Sequence, residues 1–301
     1  MIPMEIHRKA LKQQAREIMR QHKPPSWLVA LLFWGLTTGV STVAQLVDVT
    51  TDTFVNTNGI QFFPVFLSLL LTMYSLIMDF GYRIWCLRAW RKEWADYGTL
   101  IDGFGMAGRV LIMEIHIFLR LFAWCLLPTI PAVLFISSTN DLEMVVFLTW
   151  VLSAALIPYL YVIRLRYALA PYLLMDHADS WNASQAVNES VVLMRGWKME
   201  LFKLDLSFLG WYLLEWLLAA AVQGAFLFPT VLAALQGGGG METVLTLAAG
   251  TTAGSVLGTL VCLPVELWLT PYCGLARAGF YDARRSFTPP PPPVYTYDSR
   301  P

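Results

Sequence analysis

The chain has 301 residues, of which 56% are hydrophobic and only 14% charged, where an ordinary soluble domain carries about 25% charged residues. That surplus of apolar surface cannot be hidden in a soluble core and must face lipid. The 21 basic and 21 acidic residues cancel, which excludes a global basic field for nucleic acid.

Residues 1–26 read as a basic amphipathic helix. From Met4 to His22, the residues Met4, Leu11, Ala15 and Ile18 share one helical stripe, and Arg8, Lys12, Arg16 and Arg20 step beside it at i, i+4 spacing. Such a helix suits an anionic inner leaflet. The four basic residues are therefore candidate membrane-surface contacts, with anionic inner-leaflet lipids as the partner. An ordinary solvated helix with a basic face is the plainer alternative.

A membrane helix needs about 20 predominantly apolar residues, and residues 27–285 offer six such stretches. The first is Trp27 to Val47. It lies behind a long charged segment with no small-residue cleavage pattern, so it reads as an uncleaved span rather than a signal peptide. The others are Ile60 to Gly81, Val110 to Ile136, Met144 to Ile163, Leu204 to Leu235 and Val244 to Leu269. The fifth is too long for one straight span and is expected to break at Gly224 and Pro229; in the sixth, Pro264 is expected to kink the helix.

Between the spans, further short helices are expected. Asp179 or Ser180 can cap a helix with Ala186, Val187, Ser190, Val191 and Met194 on one face, and a Gly-rich segment from Tyr97 to Ala107 precedes the third span. Met-Arg-x-x-Lys occurs at two membrane boundaries, in Glu17–Lys23 and Val192–Lys198, with Gly103–Arg109 as a weaker copy. This is compatible with three repeats of helix plus hairpin, or with three interfacial helices that merely look alike. Residues 286–301, with five prolines at Pro289 to Pro293, read as an extended, disordered tail.

Charge placement orients these spans. All but one of the 21 Lys and Arg fall before the first span, between spans two and three, between four and five, or after six; the exception is Arg120. The opposite loops, Asp48 to Gly59, Ser137 to Glu143 and Gln236 to Thr243, hold none. The positive-inside rule then places both ends of a multi-pass protein in the cytoplasm and the chain in the cell membrane. The expected fold class is all-α: a polytopic helical bundle of six transmembrane helices, with amphipathic interfacial helices on the cytoplasmic side.

Ionisable groups at bilayer depth are the candidate functional residues. Span three carries Glu114, His116 and Arg120, span five Glu215 and span six Glu266. Counted from the nearest basic boundary residue, Arg120, Glu215 and Glu266 lie about 16, 18 and 16 Å deep at 1.5 Å per residue. An unpaired charge there costs roughly 3 kcal/mol on insertion scales, so Arg120 is expected to pair with Glu215, Glu266 or both. The cluster would serve either a charged substrate or helix packing alone.

Signals for chemistry are weak. Glu114 with His116, and Asp176 with His177 and Asp179, offer too few ligands of the right kind for a metal site. Cys86, Cys125, Cys262 and Cys273 form no CxxC, and His7, His22, His116 and His177 are scattered, with no GxSxG or HExxH. We expect no metal, no cofactor and no enzymatic activity.

The stretch Tyr167-Ala-Leu-Ala-Pro-Tyr-Leu-Leu-Met-Asp176, then Glu189-Ser190, Leu193-Met-Arg-Gly196, Lys198, Leu201-Phe202, Leu206-Ser-Phe208 and Gly210-Trp211, followed by Trp268-Leu-Thr-Pro-Tyr272, Ala276 and Phe280-Tyr281, resembles an uncharacterised bacterial membrane protein family, the domain-of-unknown-function family numbered 975. Ala178 stands where that pattern has proline, and the segment between Trp211 and Trp268 is longer than in compact members. The resemblance implies a multi-span membrane protein and no particular activity. The expected role is accordingly non-enzymatic, scaffolding or modulating other envelope components, with the bilayer and other membrane proteins as partners. The alternative is a transporter or lipid-handling permease built on the intramembrane charges. A charge-lined cavity would favour the alternative, and a dry, packed bundle the first reading.

Overall fold

A computed structural model of the protein describes residues 7–42, 62–138, 141–178, 180–235 and 241–286. These form helices α1 (Arg8–Gln21), α2 (Ser26–Trp34), α3 (Phe62–Trp90), α4 (Ala107–Ser137), α5 (Leu142–Arg164), α6 (Ala170–Asp176), α7 (Ala183–Leu193), α8 (Lys198–Leu206), α9 (Leu209–Leu235) and α10 (Met241–Ser286), and no strand occurs among the described residues. Five helical segments are long and apolar enough to cross a membrane: Val65–Trp90, Tyr97–Ile136, Glu143–Asp176, Leu209–Pro229 and Gly250–Ser286. The expected first span appears as a shorter apolar helix, Ser26–Thr42; its outer part lies outside the described residues.

The core sits at one end of the bundle. The second half of α3 is buried at Met78, Phe80, Trp85, Cys86 and Ala89, whereas Val65, Phe66 and Leu69 in its first half are exposed. The same gradient runs along α4, from buried Val110 and Met113 to Leu127, Leu134 and Phe135, each more than 60% exposed. Apolar flanks of this length suit lipid, not water.

Small residues set the helix seams. Gly250, Gly254 and Gly258 of α10 recur every fourth residue and meet Phe226, Gln223 and Ala219 of α9 in reverse order, so the two helices run antiparallel. Without a hydrophobic drive between helices in lipid, such close approach is what holds a seam together. On another face of α10, a Cβ at Gly274 would fall 2.6 Å from Cys86 Sγ, and one at Gly279 would lie 2.3 Å from the Trp90 ring, so α3 and α10 run parallel. Where α3 meets the 3₁₀ turns Tyr97–Leu100 and Asp102–Met106, backbone touches backbone: a Cβ on Gly81 would sit 2.0 Å from the Leu100 carbonyl oxygen.

Several sequence expectations need correction. The fifth stretch breaks at Ser207–Phe208, between α8 and α9, while Gly224 and Pro229 lie inside the continuous helix α9. At the break, Lys12 Nζ donates to the freed Ser207 carbonyl at 3.3 Å, satisfying a helix-end acceptor from another helix. Pro264 and Pro271 lie within the single helix α10. Asn182, paired with Gln185, caps α7 in place of Ser180; Asp179 lies outside the described residues. The segment before α4 forms two 3₁₀ turns instead of an α-helix, the first capped by Asp96 and Thr99. The stripe of α1 does not face lipid: Leu11, Ala15 and Ile18 are buried in the protein core. Met4, Val47 and the proline tail lie outside the described residues.

Candidate functional site

A cavity of about 310 Å³ opens within the buried end of the bundle. Its charged lining is contributed by five elements: Asp79 and Arg83 from α3, Glu114 from α4, Arg164 from the end of α5, Asp205 from α8 and Arg277 from α10. Three acids thus face three arginines. Asp79 and Arg83 stand one turn apart, and Arg83 Nε and Nη2 donate to Asp79 Oδ2 at 2.8 and 2.6 Å. Arg277 Nε donates to Asp205 Oδ1 at 3.0 Å, and the Tyr161 hydroxyl donates to Asp205 Oδ2 at 2.6 Å. Glu114 and Arg164 belong to neither pair and make no ion pair among the described residues, although Glu114 lies within electrostatic reach of Arg83 and Arg164. Tyr82, Tyr172 and Tyr212 also line it, and the Tyr82 hydroxyl is buried beside Cys86.

The five ionisable residues singled out by depth are not brought together. Glu114 alone lines the cavity. Arg120 makes no ion pair with Glu215 or Glu266; its Nη2 donates to Asn188 Oδ1 at 2.6 Å on α7, and its guanidinium lies over the Tyr167 ring. The depth argument failed because α7 presents a neutral acceptor that satisfies the guanidinium locally. His116 Nδ1 donates to the Ile112 carbonyl at 2.8 Å within its own helix. Glu215 and Glu266 lie within electrostatic reach of each other on α9 and α10. Sequence reasoning missed five cavity charges, Asp79, Arg83, Arg164, Asp205 and Arg277, and three of them had a signal. Asp79 and Arg83 form an i, i+4 acid–base pair at the end of an apolar stretch, and Asp205 lies within the fifth apolar run.

Beside the cavity, a second ionic group ties the loop after α3 to α6 and α10. Arg91 forks onto Asp176, with Nη1 and Nη2 donating to its two carboxylate oxygens at 2.7 and 2.9 Å. It also donates to Asp282 at 2.9 Å. Asp176 further accepts from the Tyr281 hydroxyl at 2.6 Å and from Arg285. These bonds to Asp176, followed by those to Asp282, push Arg91 above its ordinary value against the opposing effect of burial. Such fork–fork geometry fixes position as well as charge. The Asp176–His177 pair is thereby accounted for without metal. Asp176 is saturated by donors, and the His177 ring stacks on Trp181 at 3.8 Å. No group of three potential ligands occurs among the described residues.

The fold and its cavity define an all-helical protein with membrane-length helices and a balanced set of charges lining one cavity. The chain belongs to the family described as Protein of unknown function (DUF975), whose sequence model matches residues 4–286. No curated protein and no solved structure matches it. The residues that carried the resemblance are structural nodes. Arg91 and Tyr281 meet at Asp176, Tyr172 stacks on Tyr281, and Tyr272 packs edge-on against Phe208. Gly196 takes φ 78° between α7 and α8, a conformation that a side chain would strain.

Proposed function

We propose that this protein is a non-enzymatic carrier, a permease for a small charged solute, with six spans and both ends on the cytoplasmic side of a bacterial cell membrane. The observation behind it is the cavity with an uneven saturation of its charges. Arg83 and Arg277 are neutralised by protein carboxylates, whereas Glu114 and Arg164 are left for a guest. Glu114 is half-buried and Arg164 exposed at the rim; an acid and a base that line one cavity without forming an ion pair with each other suit a guest carrying both signs. Its volume, at the lower end of ligand pockets, limits that guest to a small zwitterion. A scaffolding role calls for a dry, filled interior and gives no reason for the cavity. The sixth span is the helix beginning at Ser26, and the parallel run of α3 and α10, with α9 antiparallel, agrees with the threading drawn from the basic residues.

The test is thermal stabilisation of the purified full-length protein by small zwitterions, anions and cations at millimolar concentration. A cognate solute at 100 times its Kd stabilises by about 2.7 kcal/mol. The effect should vanish in Glu114→Gln and Arg164→Gln while the melting of the unliganded variants stays near wild type. Stabilisation that survives both substitutions, or none with any of the three solute classes, would refute the reading.

A further inference from the structure

A second hollow, of about 670 Å³, lies between α1, α2, α9 and α10. We infer that it is a binding groove for one anionic phospholipid, with its headgroup on Lys12, Arg16 and Arg20 and its chains against the tryptophan wall.

The charge is one-sided. Those three basic residues line the hollow and no acidic residue does. Of the five basic residues of α1, Lys9 lies outside the lining and Arg8 is drawn away to Glu200 at 3.6 Å, which leaves the other three on the groove. They are poised but not saturated: Arg16 spends Nε on the Tyr272 hydroxyl at 3.1 Å, keeping its two terminal nitrogens, and Arg20 has no side-chain partner among the described residues. Burial, and after it the neighbouring Arg16, push the Lys12 ammonium below its ordinary value, a crowding of positive charge that an anion relieves. Ser26 lies in the same lining, 1% exposed, with a hydroxyl that has no hydrogen-bond partner among the described residues. A buried donor of this kind fits a phosphate oxygen.

The opposite wall distinguishes a lipid from a free anion. Trp27, Trp211 and Trp268 line it with Pro264 and Leu267, and Trp211 and Trp268 pack at 4.9 Å. The three tryptophans are 54%, 42% and 37% exposed. Leu214, one turn along α9 from Trp211, is exposed as well, so the groove borders an apolar surface that suits acyl chains. Tryptophan beside clustered lysine and arginine is the composition of a headgroup-level interface.

The experiment is native mass spectrometry on the full chain in neutral detergent, titrated with phosphatidylglycerol and with phosphatidylcholine of the same acyl chains. Wild type should hold one phosphatidylglycerol in preference to phosphatidylcholine. Arg20→Gln, which breaks no side-chain hydrogen bond or ion pair among the described residues, should weaken phosphatidylglycerol roughly fivefold, as expected for one basic residue at an anionic surface, leaving phosphatidylcholine unchanged. Trp27→Ala should weaken both lipids. Inorganic phosphate at 10 mM should displace neither. Equal binding of the two lipids, an unaltered phosphatidylglycerol affinity in Arg20→Gln, or displacement by inorganic phosphate would overturn the inference, the last by making the ligand a free anion.

Discussion

Replacing Asp176 by alanine removes the acceptor for three side chains at once. Its carboxylate is 8% exposed and forks with Arg91, and the Tyr281 hydroxyl that donates to it belongs to a residue with no exposed surface. Losing the charge-assisted bonds to Arg91 costs roughly 1.5–3 kcal/mol, and leaving a buried hydroxyl unsatisfied adds about 1–3 kcal/mol. Arg91 retains Asp282, which moderates the first of these, so the net destabilisation should be about 3–4 kcal/mol, within the range for breaking a buried pair. Asp282→Ala is the internal control. That carboxylate is 38% exposed, and a pair so open to solvent contributes at most about 1 kcal/mol. Scanning fluorimetry of the purified proteins at one fixed heating rate reads the difference, because irreversible unfolding makes the rate matter. At roughly 2–4 °C per kcal/mol, Asp176→Ala should melt on the order of 10 °C below wild type and Asp282→Ala within about 4 °C. Equal shifts for the two variants would refute the reasoning, since the argument rests on their difference in burial.

Three further outcomes follow from the packing and the charge pattern. Gly81→Ala should lower the melting temperature sharply, by about 1–3 kcal/mol of overpacking, because its Cβ would strike the Leu100 backbone; Gly105→Ala, with open space around it, should change stability by no more than about 0.5 kcal/mol, and the same melts compare the two. Gly279→Ala should destabilise more than Gly254→Ala, since the first meets the Trp90 ring and the second the flexible end of Gln223; a reversed order in chemical-denaturant stability would count against the helix seams. Reporter fusions after Arg20, Lys92, Lys198 and Arg285 should all report the cytoplasm, and fusions near Asn56, Asn140 and Gly238 the outside, a single clear reversal being enough to reject the six-span threading.

The membrane-length helices were legible because length and apolarity are local properties: the stretch from Val110 to Ile136 needs no partner to be recognised as a span. The seam of Gly250, Gly254 and Gly258 was equally legible, since small residues at every fourth position in an apolar run have a known meaning, yet it passed unread. The cavity was harder. Asp205 and Arg277 are 72 positions apart, and no periodicity tells an arginine at a span boundary that serves topology from one that turns inward to meet an aspartate. Arg91 shows the same ambiguity: it counted as one of the orienting charges, and it is the hub of an ionic group. The case of Arg120 is the converse. Depth alone made the carboxylates its natural partners, and an amide on the short helix α7 reached it first.

The contact between Arg16 and Tyr272 joins residues 256 positions apart, and that interval is also a delay. A ribosome adding about 5–20 residues per second needs roughly 10–50 s to make the chain between them. Helix α1 is therefore made long before the segment of α10 that it packs against. Its apolar stripe, Leu11, Ala15 and Ile18, must spend that interval against something other than α10, and in a membrane-inserting chain the nearest apolar surface is the bilayer itself. In the finished fold that stripe is covered by protein, so the seat of α1 is completed only when α10 has been made.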